Sequence, residues 1–133
     1  MMTPVSESVT RIAYIGIAGG IGCILRYLVS GVIQTRSTQI FPIGTLVANT
    51  LGCLAIGYLA VRFEATLSDP NIRAAVLVGL LGGFTTFSTF SLETLKLAQN
   101  GQMLPAAANI IASLVCCLAG VWVGQRIATW TLS

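Results

Sequence analysis

Phe87 and Phe90 stand three residues apart inside the run Gly82-Gly83-Phe84-Thr85-Thr86-Phe87-Ser88-Thr89-Phe90-Ser91, where hydroxyls alternate with aromatic rings. Three residues is helical spacing, so both rings fall on one face. A phenyl ring has a positive edge and a hydroxyl donates a hydrogen bond, so the pattern offers an anion two kinds of partner. Aromatics at this spacing are ordinarily packing residues, but a purely packed or lipid-facing helix has no need of the interleaved Ser and Thr. The run sits in the middle of an apolar stretch that begins near Ala74 and resumes at Leu92. Two glycines followed by two threonines are where a helix is weakest, so the sequence predicts a break there. At membrane depth a break is tolerated only where the released backbone groups face protein, an ion or a water-lined cavity. The expectation is a chain that handles an ion or a small solute.

Other polar residues extend the pattern. Thr45 and Asn49 are four apart, as are Asn109 and Ser113, so each pair makes a polar stripe on one helix face. Amides and hydroxyls cost free energy in hydrocarbon unless paired, so these stripes face other helices or a pore. The plainer role is interhelical hydrogen bonding, worth about 0.6 kcal/mol each. Beside a broken span, the pore-lining role gains weight. Arg26 is the one basic residue well inside an apolar segment, and it is either a snorkelling anchor or the electropositive lining of an anion vestibule. Glu93 can pair with Lys96 three residues on, as a structural salt bridge or capping contact.

These residues are carried by an unusually apolar chain. Of 133 residues 55% are hydrophobic and only 8% charged, with a mean hydropathy of +0.87, whereas soluble domains carry about 25% charged residues. Four apolar segments of spanning length run over about 12–33, 43–61, 72–98 and 104–130. The reading is one all-α membrane domain over residues 1–133, four transmembrane helices with the third broken at its centre. The connections at 34–42, 62–71 and 99–103 are too short to fold alone, which excludes soluble catalytic, nucleotide-binding and nucleic-acid-binding domains. The segment from Ile12 resembles a signal-peptide core after Arg11, but it continues past Arg26 with no small-residue cleavage site, so it is read as a retained helix.

Arg11, Arg62, Arg73 and Arg126 fall on one side of a four-span layout, against Arg36 and Lys96 on the other. That excess is a weak orientation signal, compatible with insertion both ways and hence with an antiparallel dimer. Gly16-xxx-Gly20, Gly79-xxx-Gly83 and Gly120-xxx-Gly124 offer flat surfaces for close helix approach. Four helices can hardly enclose both a pathway and its supports, so a homodimer is the economical assembly. Cys23, Cys53, Cys116 and Cys117 lie in apolar segments, histidine is absent, and no spacing resembles a zinc or redox motif. The cysteines read as small packing residues, and Trp122, Trp130 and Tyr14 as packing or interface anchors.

The motifs over Gly19 to Tyr27, Gly44 to Cys53 and Gly82 to Glu93 together resemble the signatures of the Fluc (CrcB) fluoride channels, over nearly the whole chain. The third motif, GGFTTFSTFSLE, is the most specific. The resemblance implies a channel rather than an enzyme, an antiparallel dual-topology homodimer in the inner (plasma) membrane. It implies two pores along the subunit interface and a structural Na+ buried at the centre, in a protein whose other partner is membrane lipid. Passive fluoride export would then lower fluoride toxicity. Backbone carbonyls of Gly82 and Thr85 from both subunits would hold the sodium, and Phe87 and Phe90 would face the anion edge-on. Asn49 would donate its amide to fluoride, with Thr45, Ser88 and Thr89 as a hydroxyl track and Ser113 on the fourth helix. Arg26 would lie in or below the vestibule and Glu93 near the pore end. Asn109 stands where many relatives have tyrosine, which leaves the detail of one pore end open.

Two rival readings remain. A small dual-topology drug or proton antiporter also has four spans but needs a titratable carboxylate in its path, for which Glu93 is the sole candidate. A non-transporting assembly subunit would explain the glycine motifs but not the alternation of Phe with Ser and Thr.

Overall fold

The computed structural model describes residues 4–37, 40–66 and 69–132; positions 38, 39, 67 and 68 of the first two connections lie outside the described residues. The described chain is helical nearly throughout. In order come α1 (Pro4–Arg36), α2 (Ile43–Ala65), α3 (Pro70–Ala74), a π-helical stretch (Ala75–Leu80), α4 (Leu81–Phe84), α5 (Phe87–Gln99) and α6 (Met103–Leu132). Four stretches are long and apolar enough to cross a membrane, Glu7–Arg36, Ile43–Ala65, Pro70–Gln99 and Met103–Leu132. At about 1.5 Å per residue, each exceeds the roughly 30 Å hydrocarbon core. The protein is therefore a multi-pass membrane protein.

Local chemistry sets the ends of these helices. Asp69 caps α3, its carboxylate accepting from the Asn71 N–H at 2.7 Å, and Pro70 occupies the first turn, where its missing N–H costs nothing. The α5 to α6 turn passes through Gly101 at φ 76, with the Gln102 N–H returning to the Leu97 carbonyl at 2.9 Å. That left-handed position favours glycine. Gln34 of α1 fixes the entry to α2: its amide nitrogen donates to the Phe41 carbonyl at 3.2 Å and its oxygen accepts from the Gly44 N–H at 3.1 Å.

Glycine backbones take the place of a bulky core. A Cβ at Gly124 would overlap the Leu54 carbonyl and one at Gly57 the Val121 carbonyl, so α2 and α6 meet backbone to backbone. A Cβ at Gly83 would lie 2.5 Å from the Gly19 carbonyl, and one at Gly79 2.7 Å from that of Ile15, which seats the third span against α1. Such close approach is how small residues drive association where lipid removes the hydrophobic incentive. One expected surface is not used within the protomer: a Cβ at Gly16 or Gly20 would meet nothing within 4 Å. On α1 the neighbouring register is used instead, because Gly19 and Gly22 face Gly79 and Leu80.

Candidate functional site

Helix α4 ends at Phe84 and α5 starts at Phe87, with Thr85 (φ −93, ψ 157) and Thr86 (φ −151, ψ 117) extended between them. Gly82 and Gly83 stay helical. In a continuous helix the Thr86 N–H would bond the Gly82 carbonyl. Here it donates to Asn49 Oδ1 at 2.7 Å, and Asn49 Nδ2 donates back to the Thr86 carbonyl at 2.9 Å. One buried side chain of α2 thus satisfies both backbone groups of an extended residue, and the Gly82 carbonyl loses its usual helical partner. Asn49 keeps a second N–H, since its amide has two.

Threonine chemistry finishes the interruption. The Thr85 N–H and hydroxyl both turn back onto the Leu81 carbonyl, each at 3.0 Å. The Thr86 hydroxyl accepts from the Thr89 N–H at 3.2 Å and so caps α5. It also lies 3.0 Å from the Thr89 hydroxyl and 3.2 Å from that of Ser88. Thr86, Ser88 and Thr89 form a connected hydroxyl cluster at the N-terminus of α5, the helix end whose dipole favours negative charge. Thr85 packs directly on α2, where a Cβ at Gly52 would overlap its methyl group.

The rings of Phe87 and Phe90 lie 5.3 Å apart between centroids at 47°. Phe87 is 77% exposed in the protomer. Both rings border a groove of about 350 Å³ shared with Asn49, Ser113, Gly82 and Thr85. The groove is lined by α2, the interrupted third span and α6, and a Cβ at Gly82 would meet nothing within 4 Å.

A second hollow of about 240 Å³ brings Arg26 together with Thr45, Thr86 and Thr89. Arg26 is half-buried, and its Nε is shielded without a hydrogen-bond partner among the described residues. Thr45 is buried and donates to Glu93 Oε1 at 2.9 Å. Glu93 is not ion-paired with Lys96: the ion pair among the described residues is Arg73 to Glu64 at 3.6 Å. The carboxylate turns toward α2 instead, away from its own helix.

Asn109 is the most buried polar side chain of the four on the stripes, at 1% exposure. Its Nδ2 donates to the Thr94 hydroxyl at 2.8 Å, which donates to the Phe90 carbonyl at 2.7 Å. It does not border the groove; it ties α6 to α5 behind Phe90. Within the protomer Asn109 thus makes a bracing bond between α6 and α5. Residue types alone do not mark Thr86, Thr94, Gly52, Cys53 or Cys117 for the site. The two cysteines do carry a signal, since each continues a polar stripe by four residues: Thr45, Asn49, Cys53 and Asn109, Ser113, Cys117.

Comparison with known proteins agrees in one direction. Residues 13–125 match the family described as CrcB-like protein, Camphor Resistance (CrcB). A protein of Geobacter sulfurreducens named fluoride-specific ion channel FluC is 41% identical over 116 residues, covering 86% of this chain and 94% of that protein. A Rhodospirillum rubrum protein of the same name is 46% identical over 120 residues, 84% and 89% of the two chains. A third from Sulfurovum sp. is 42% identical over 113 residues, 85% and 89% respectively.

Proposed function

The chain belongs to the CrcB-like family, and from that membership we propose that it is a fluoride-selective channel, working as an antiparallel homodimer with two pores. The observation that carries the reading is the groove where Phe87 and Phe90 stand beside Asn49, Ser113 and the start of α5. Beside a 77% exposed phenylalanine the groove holds amide and hydroxyl groups, which lipid cannot satisfy, and a second copy of opposite orientation would cover them.

Fluoride is small and strongly hydrated, and removing that water without replacement costs tens of kcal/mol in a low-dielectric medium. A pore must substitute donors for water, each weak enough to release the ion. The free N–H of Asn49, the hydroxyls of Ser88, Thr89 and Ser113, and the ring edges of Phe87 and Phe90 make up such a set, which the Thr45 hydroxyl joins when it turns from Glu93 Oε1. Arg26, in the hollow with Thr45, Thr86 and Thr89, raises the local concentration of anions at one end.

The family also implies a structural Na+, and these residues fit it. The Gly82 carbonyl has lost its helical hydrogen bond to Asn49's capture of Thr86, and the Thr85 carbonyl belongs to an extended residue. Hard cations take oxygen ligands, so Gly82 and Thr85 of two copies would hold it. When bound, it supplies a fixed positive charge in a site with no buried lysine. Asn49 does the chain's own part, holding the peptide at Thr86 open.

Conduction is passive and driven by the electrochemical gradient, across the inner membrane, and lowers cytoplasmic fluoride. The antiporter alternative needs a carboxylate in the path that exchanges protons, for which Glu93, held by the Thr45 hydroxyl through Oε1, is the candidate. Proteoliposomes loaded with fluoride or with chloride test the proposal. Rapid release of fluoride and retention of chloride support it; equal release of both, or of neither, overturns it.

A further inference from the structure

Cys53 of α2 and Cys117 of α6 close the two polar stripes as a facing pair, one helical turn beyond Asn49 and Ser113. Cys53 packs against α6 three residues from Cys117: a Cβ at Gly120 would lie 3.5 Å from the Cys53 Cβ. Both thiols are free and half-buried, and both border the groove that holds Phe87 and Phe90. The helices carrying them are held at close range by the Gly57 and Gly124 contacts. The two sulfurs therefore sit on a rigid frame, open to the groove. The other two cysteines are not part of it: Cys23 lies in the Arg26 hollow and Cys116 is outside the groove lining.

We propose that Cys53 and Cys117 form a two-thiol site for a soft divalent cation, and that filling it obstructs the groove. Thiolate sulfur is a soft donor and prefers soft metals to hard ones. Zinc closes a structural site with four ligands, and the described residues hold no group of three His, Cys, Asp or Glu that would approach this. The pair suits instead a metal that is satisfied by two thiolates in a linear arrangement. In the binding step each S–H bond breaks and its proton passes to water, while each sulfur gives an electron pair to the metal; no oxidation state changes. Two thiolates cancel a 2+ charge, so the bridged site adds no net charge at membrane depth, where charge is costly. The bridge lies one turn from Asn49 and Ser113, in the space an ion would cross.

The test uses Hg2+ on the reconstituted full chain, followed by maleimide labelling and peptide mapping. One equivalent of Hg2+ protects Cys53 and Cys117 together in the wild-type chain. In Cys53→Ser, protection of Cys117 at that dose falls by about tenfold, and the reverse holds for Cys117→Ser. Independent labelling of the two thiols in the wild type overturns the site, whether or not the serine variants fold. The obstruction rests on the fluoride reading and has its own readout. Hg2+ lowers fluoride efflux by about tenfold in a Cys23→Ser/Cys116→Ser chain but not after Cys53→Ser is added. Joint protection with undiminished efflux overturns the obstruction and leaves the metal site; a chain with no efflux before Hg2+ overturns the channel reading, while thiol protection still decides the site.

Discussion

Asn49 binds both backbone groups of Thr86, donating through Nδ2 to its carbonyl at 2.9 Å and accepting through Oδ1 from its N–H at 2.7 Å. A single amide on α2 thus replaces the two hydrogen bonds that a continuous third span would have given this residue. The same residue retains one N–H, the one assigned to fluoride in the proposed function. Substitution at 49 separates that role from the structural one.

Asn49→Ala leaves a donor and an acceptor at Thr86 unpaired, each costing about 1–3 kcal/mol where buried. The expected outcome is a clear drop in thermal unfolding temperature in detergent. Asn49→Asp keeps the acceptor for the Thr86 N–H but puts a carboxylate beside the path. Fluoride efflux should then fall by about a hundredfold, with a smaller loss of stability than alanine causes. Wild-type efflux from Asn49→Asp would remove the residue from the lining.

Phe87→Ile keeps an apolar side chain of similar reach but removes the positive ring edge. Phe87 is largely exposed in the protomer, so folding of the single chain should change by less than about 0.5 kcal/mol. Efflux should fall by at least about tenfold. A full rate in a correctly assembled variant would show that the ring does not meet the ion.

Gly82→Ala distinguishes one copy from two. The added methyl meets nothing within 4 Å in the protomer and suits the helical conformation of α4. Helix content by circular dichroism should be unchanged. If two copies meet at this residue, chemical cross-linking should show dimerisation weakened by about tenfold. An unaltered dimer fraction would place the interface elsewhere.

Glu93→Gln retains an oxygen for the Thr45 hydroxyl, which now reaches Glu93 Oε1 at 2.9 Å, while removing the carboxylate that an antiporter would use. A channel keeps conducting, within about tenfold of the wild type, and at rates insensitive to a proton gradient. A carboxylate-dependent antiporter stops. Proteoliposome efflux with and without an imposed pH difference gives the answer.

Hydropathy alone makes the four long apolar segments visible, because lipid demands about twenty apolar residues from each crossing. Burial of Thr45, Asn49, Asn109 and Ser113 is equally legible in the residue types, since polar side chains at membrane depth must find partners. Their partners are not. Whether Asn49 meets Thr86, or Asn109 meets Thr94, depends on how each helix is rotated about its axis, which residue types along one helix do not fix. The weak point of the third span illustrates the same limit. Propensity points to the run from Gly82 to Thr86; within it the glycines stay helical and the chain departs at Thr85 and Thr86, where Asn49 and the capping hydroxyl of Thr86 compensate the lost bonds. Gly16 and Gly20 match a packing motif but face open space, because Gly19 and Gly22 present the register that Gly79 and Leu80 occupy.

The central claim, fluoride moving alone down its own gradient, is tested most directly by the reversal potential of the current through the purified protein in a planar bilayer. With unequal fluoride on the two sides, the account predicts reversal at the fluoride equilibrium potential, unmoved by added chloride or by a pH difference. Reversal that follows the proton or chloride gradient, or a bilayer that carries no fluoride current, would contradict it.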